Sequence, residues 1–96
     1  MTIAEFKSSL ENNEPPESMN PLLKALWFDA KGDWTGAHET AQNINTKEGS
    51  LIHAYLHRKE GDLSNASYWY SRAGRTMPDI SLQKEAEYIL NELVNK

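Results

Sequence analysis

Residues 53–75 read HAYLHRKEGDLSNASYWYSRAGR, and their spacing decides the fold class. Apolar and aromatic residues recur three and four positions apart on both sides of Gly61 and Asp62, as they do along helices that bury one face. A glycine can end a helix in the left-handed conformation, and an aspartate can cap the helix that follows. The stretch therefore predicts a helix, a tight turn and a second helix.

The same signals continue through the rest of the chain and predict helices only. No long segment alternates polar and apolar residues with a period of two, as a half-buried strand would. The fifth helix should run to about Arg75, because Pro78 cannot continue it. Capping residues place the starts of the first five helices near Thr2, Asn20, Asp33, Thr46 and Asp62, and the start of the sixth near Asp79 or Ser81. The fold class predicted is all-α.

Size and composition predict a single globular domain, residues 1–96. The chain has 39% hydrophobic and 25% charged residues, with three Trp, four Tyr and two Phe to anchor one core. Without cysteine it can form neither disulfides nor thiolate metal sites. No run of about 18 apolar residues is present, and the first residues lack the pattern of a secretion signal. We therefore expect a soluble, cytoplasmic protein that does not enter a membrane.

The net charge argues against nucleic acid as a partner. The formal charge is −4, whereas a protein that grips phosphates usually has a clear basic excess. Residues 51–75 are mildly basic within this acidic chain, with Arg58, Lys59, Arg72 and Arg75 as their cations. This local excess is too small to change the expectation that nucleic acid is not a partner.

A short internal repeat comprises the second to the fifth predicted helices. Two Gly-Asp pairs lie 29 residues apart, at 32–33 and 61–62. The same offset aligns Ala25 with Ala54, Trp34 with Leu63 and Ala37 with Ala66. Each aligned residue has the same place in a unit of helix, turn and helix, so the sequence predicts two such units.

These units resemble tetratricopeptide repeats (TPRs) over residues 20–78. The residues that carry the resemblance are Ala54, the GDL turn at 61–63, Ala66 with Tyr70, Ala73 and Pro78. In the first unit Ala41 stands where an aromatic residue is usual, and the offset is shorter than the family's repeat of about 34 residues. The resemblance implies about two TPR-like hairpins, with helices 2–13 and 80–95 as N- and C-terminal caps.

The resemblance also implies a place for binding. In TPR proteins the first helix of each unit lines a concave groove that holds peptides, and Tyr55, Arg58 and Lys59 match groove positions here. Leu26 and Asp29 match them in the first unit. The implied function is a recognition or assembly module for a protein or peptide partner, with homo-oligomerisation as an alternative.

Two arginines near the end of the fifth predicted helix suggest recognition independently. Arg72 and Arg75 are three positions apart on one helical face and close to Tyr68 and Trp69, so a pair of guanidinium groups beside aromatic rings could hold a carboxylate, a phosphate or a peptide terminus. The alternative is that both arginines form ordinary ion pairs with Glu85 and Glu87.

The histidines allow two interpretations. His53 and His57 are four apart, hence on one side of a helix, and His38 and Glu60 are the candidate third ligands for a metal ion. The glutamate of the metalloprotease motif is missing from HAYLH, so no metal, cofactor or catalytic residue is predicted. The favoured interpretation is a buried polar network, for which the candidate partners are Asn65, Ser67, Tyr68 and Tyr70.

The rival function is a small ligand-binding or hydrolase-like protein whose three histidines converge between the repeats. No nucleophile motif or phosphate-binding glycine loop supports an enzyme, which is the less favoured alternative. The candidate binding residues are His38, His53, Tyr55, His57, Arg58, Tyr68, Arg72 and Arg75.

Overall fold

Six α-helices make up the fold of residues 1–95, the part of the chain that the computed structural model describes. No strand occurs among these residues, and the predicted all-α class is confirmed. In chain order the helices are α1 (Ile3–Ser9), α2 (Pro21–Ala30), α3 (Trp34–Gln42), α4 (Lys47–Glu60), α5 (Leu63–Arg72) and α6 (Leu82–Val94).

Each helix begins at a predicted capping residue, and of the two candidates for the sixth helix, Asp79 and Ser81, the structure has Ser81. The capping box at the start of α1 is formed, since the Thr2 hydroxyl accepts from the Glu5 amide and the Glu5 carboxylate accepts from the Thr2 amide. The N-caps of the other five helices are Asn20, Asp33, Thr46, Asp62 and Ser81, each accepting a backbone N–H of the first turn.

Two helices end earlier than predicted. α1 stops at Ser9, because the next residues form short turn hydrogen bonds back to the carbonyls three positions before them. α5 stops at Arg72 because Gly74 adopts a left-handed conformation, with φ 74°, so that Arg75 already lies beyond the helix. Pro78 therefore follows the end of α5 and does not cause it.

Small residues bring the helices together in pairs, α2 with α3 and α4 with α5. Ala25, Ala37, Ala54 and Ala66 are completely buried, so the backbones approach closely at these positions. The third aligned pair of the repeat behaves differently. Trp34 is half-buried, whereas Leu63 is exposed, so the two units are not equivalent at their first helical residue after the turn.

The C-terminal helix packs across the first helix of each pair. α6 contacts both α2 and α4, and α1 contacts α6. The end of α1 is also tied to α2, since the Trp27 indole N–H donates to the Ser9 carbonyl at 3.3 Å. Side chains from all six helices meet in one apolar core whose largest fully buried members are Trp27, Tyr70, Ile52 and Leu56. Within residues 1–95 no helix combines the length and apolar character needed to cross a membrane.

Gly61→Ala is expected to lower the free energy of unfolding by about 1–2 kcal/mol. Gly61 has φ 88°, and a Cβ added there would meet no atom within 4 Å, so the cost comes from the left-handed backbone alone. Urea unfolding followed by circular dichroism measures the change. Gly61→Asn should lose less stability, because asparagine tolerates this conformation better. Equal losses in the two variants would contradict the explanation.

Candidate functional site

Three imidazole rings meet where α3 crosses α4. His38 comes from α3, and His53 and His57 lie one turn apart on α4. The Nε2 atoms of His38 and His53 are 2.9 Å apart, a hydrogen bond in which one ring donates and the other accepts. One ring nitrogen from each of the three side chains lies within 4.8 Å of the others. These three residues, which we call the histidine cluster, are therefore mutual neighbours.

Two tryptophans enclose the histidine cluster. The Trp69 indole of α5 stacks on the His53 ring with centroids 3.9 Å apart, and the Trp34 indole stacks on His38 at 4.9 Å. The Trp34 N–H donates to the Leu56 carbonyl at 2.8 Å, which fixes that ring. The α4 imidazoles are thus largely shielded from water, while His38 remains partly exposed.

Burial sets the protonation of His38 and His53. Removal from water, followed by repulsion from the other two imidazoles, lowers the pKa of His53 to about 4. Burial and the nearby His57 ring also lower the pKa of His38, against a smaller opposite effect of Glu60 and Glu39. Two rings of the cluster are therefore neutral at pH 7.

A carboxylate orients the third ring. The His57 Nδ1–H donates to the Glu60 carboxylate at 2.6 Å, which leaves the lone pair on Nε2. The Asn65 side-chain amide donates weakly to this Nε2 at 3.4 Å. Of the partners expected for the histidines, Asn65 is therefore found, whereas the Tyr70 hydroxyl bonds to Glu85 instead.

A pocket of about 400 Å³ opens on the other side of α4, between α1, α2, α4 and α6. Asp29 and Lys59 form an ion pair at 2.8 Å along its wall, and the Tyr55 hydroxyl donates to the second Asp29 oxygen at 3.2 Å. Burial and the Asp29 charge raise the pKa of the Tyr55 phenol, so this donor stays protonated. We call this cavity the concave pocket. The apolar residues that line it are Phe6, Leu10, Leu26, Ala30, Leu82, Ala86 and Leu90.

Arg58 does not line the concave pocket. Its guanidinium donates to the buried Glu85 carboxylate at 2.7 Å and to the Ile80 carbonyl. The other Glu85 oxygen accepts from the Tyr70 hydroxyl at 2.6 Å. Arg58 thus holds α6 against α4 and α5, and the expectation that it faces an open groove is wrong because α6 covers it.

The two arginines after residue 70 do not form a pair on one helix face. Arg72 lies beside the rings of Tyr68 and Trp69, at 5.8 and 5.4 Å from their centroids. Arg75 pairs with Glu92 of α6 at 2.5 Å, because the turn at Gly74 redirects the chain. Arg75 uses neither of the two carboxylates, Glu85 and Glu87, that the sequence suggested as partners. Tyr68 and Arg72 remain as an exposed aromatic and cationic patch on α5.

Sequence reasoning missed Glu85 as a structural residue, although a signal was present. Leu82, Glu85 and Ile89 share the buried face of α6, so an acid occupies a position in an otherwise apolar stripe. Such a residue must find a charged or hydrogen-bonding partner in the core, as Glu85 does.

No family model, no curated protein and no solved structure matches this chain.

Proposed function

We propose that the chain is a small TPR-like recognition module that binds an apolar anchor of a protein or peptide partner in the concave pocket. The pairing of α2 with α3 and of α4 with α5 over buried alanines supports the TPR-like arrangement. So does the position of α2 and α4, the first helices of the two units, on the side where α6 packs and the concave pocket opens.

One observation carries the proposal. Four residues at groove positions, Leu26 and Asp29 of α2 and Tyr55 and Lys59 of α4, line a single pocket. α1 and α6 form its other walls, so the terminal helices narrow the groove of a two-unit protein into a pocket. At about 400 Å³ this pocket lies in the lower part of the ~300–1,000 Å³ range of ligand sites.

The charges of the concave pocket indicate what enters it. Its lining contains two cations, Lys7 and Lys59, and two anions, Asp29 and Glu87, and these pair with each other. An ionised group entering the pocket would have to displace one of these partners. The remaining surface is mostly aliphatic, so the matching occupant is an uncharged apolar side chain.

The form of the partner follows from the backbone. Within residues 1–95 every regular element is a helix, so no sheet edge is available to add a strand from a partner. A peptide would therefore bind through side chains, as a helix or a short extended segment does when its anchors enter a groove. We expect one or two large apolar anchors in the partner segment.

Selection from a displayed peptide library tests the proposal, with Ala86→Trp as the blocked variant. Ala86 lines the pocket, and an indole there would fill it. Selected peptides should share large apolar residues and should lose at least about tenfold in affinity for Ala86→Trp, a difference of about 1.4 kcal/mol.

Ala4→Trp is the matched control, because Ala4 lies on the exposed face of α1 and outside the pocket. It should bind the peptides as the wild type does. Failure to select any peptide, or equal binding to Ala86→Trp, would contradict the proposal. Dissociation of a wild-type dimer by Ala86→Trp would instead assign the pocket to a second copy of the chain.

A further inference from the structure

We propose that His38, His53 and His57 form a binding site for a divalent transition-metal ion of the zinc type. The site lies on the opposite side of α4 from the concave pocket and is independent of the proposed peptide binding. Imidazole nitrogen is a preferred ligand of zinc, and three histidines leave one position of a tetrahedral ion for water.

The spacing of the ring nitrogens carries the proposal. In a tetrahedral zinc site with metal–nitrogen distances near 2.0–2.1 Å, ligand nitrogens lie about 3.4 Å apart. The His38 and His53 Nε2 atoms are 2.9 Å apart, and one nitrogen from each of the three rings lies within 4.8 Å of the others. Side-chain rotations that move the ring nitrogens by about an ångström convert this metal-free arrangement into a coordinating one.

Glu60 supplies the outer partner that such sites use. Histidines that bind metals usually donate their second N–H to a carboxylate or carbonyl, which fixes the tautomer and orients the ring. His57 makes this contact with Glu60 at 2.6 Å, and its Nε2 is held only by the long contact from Asn65. Replacing the Asn65 contact by a metal ion therefore sacrifices only a weak hydrogen bond.

The tryptophans hold the other two rings in place. Trp69 stacks on His53, and Trp34 stacks on His38 and is itself fixed to the Leu56 carbonyl. A ring held on one face by an indole has few orientations to lose when it binds an ion. The alternative is that the rings serve packing alone, and then no ion would bind them tightly.

A second candidate group shares one of these residues. His57, Glu60 and Asp62 also bring ligand atoms within 4.8 Å of one another, but both acids are exposed and Asp62 already caps α5. Because this second group lacks His38, a variant at His38 separates the two sites.

Titration of the purified, metal-free chain with Zn²⁺ and with Co²⁺ tests the site. Calorimetry should show one bound Zn²⁺ per chain, and Co²⁺ should give the visible absorption of a four-coordinate ion. The chain contains only three histidines and no cysteine, so tight binding reports on a site that includes at least one of these histidines. No binding by the wild type, or several weak sites without the cobalt spectrum, would overturn the proposal.

Three variants locate the ion. His38→Gln keeps a polar side chain at a partly exposed position and should reduce Zn²⁺ affinity at least tenfold, as expected when one ligand is lost. Glu60→Gln should weaken binding by about 10- to 100-fold through loss of the outer carboxylate. Glu17→Gln, at an exposed position in the loop between α1 and α2, should leave the affinity unchanged.

Unchanged affinity in His38→Gln would overturn the proposal, because it would assign the ion to the group around Asp62. Circular dichroism of each variant confirms that it is folded before titration. Imidazole nitrogen shifts of the wild type in NMR provide a readout that needs no substitution. They should change for all three histidines at one equivalent of Zn²⁺, and a lack of change would count against the site.

Discussion

Replacing Glu85 by alanine is expected to lower the free energy of unfolding by about 3–5 kcal/mol. Glu85 is buried and accepts from the Arg58 guanidinium and the Tyr70 hydroxyl, so it connects α6 to α4 and to α5. Removing it leaves a largely buried guanidinium without its counter-charge and a buried hydroxyl without its acceptor. The expected loss of stability comes mainly from these two unpaired groups.

Two further variants on α6 and α4 sharpen this prediction. Glu87→Ala removes an exposed carboxylate whose ion pair with Lys7 spans 3.4 Å, and it should cost no more than about 1 kcal/mol. The double variant Glu85→Leu with Arg58→Met removes both charges and should recover much of the loss. Urea unfolding of all the variants measures the differences. Equal losses in Glu85→Ala and Glu87→Ala would contradict the role of Glu85.

The stability of the metal-free chain should fall by up to roughly 3 kcal/mol as the pH is lowered from 7 to 4. The ordinary pKa of a histidine is near 6.5, and that of His53 in the fold is about 4. Between these values the unfolded chain binds a proton that the native chain does not, so acid favours unfolding. The contribution of His53 is complete above about pH 6.5 and is lost as the pH falls towards about 4.

The two imidazoles that face His53 contribute to its low pKa, and His53→Gln is the control variant. His38 and His57 repel its protonated form, and the pKa of His38 is lowered in the same direction. Urea unfolding at a series of pH values, with a chelator present, gives the slope. His53→Gln should flatten it between about pH 4.5 and 6.5, whereas carboxylate titration affects both proteins equally. Parallel curves for the two proteins would contradict the assignment.

Local signals were sufficient to predict the helices. Caps such as Thr46 and Asp62, and glycines with positive φ such as Gly61, act through contacts within a few residues, so they can be read from the sequence. The exceptions have local causes as well. Gly74 and Pro78 can each end a helix, and they lie only four positions apart. The structure shows that Gly74 ends α5 first.

The sites could be predicted only in part, because they depend on how helices cross. The spacing of His53 and His57 places them on one side of α4, but whether His38 lies next to them depends on the angle between α3 and α4. Similarly, Tyr55 and Arg58 are three positions apart on the same helix, yet one lines a pocket and the other pairs with Glu85. Only the position of α6, which is set by long-range packing, separates their roles.

Chemical-shift mapping with a selected apolar peptide tests the central claim most directly. In a titration of labelled wild-type protein, we predict that the largest amide shifts fall on residues of the concave pocket, such as Leu26, Tyr55 and Ala86. The same titration of Ala86→Trp should leave these amides in place. The largest shifts at the exposed α5 patch around Tyr68 and Arg72, with the pocket unaffected, would contradict the account.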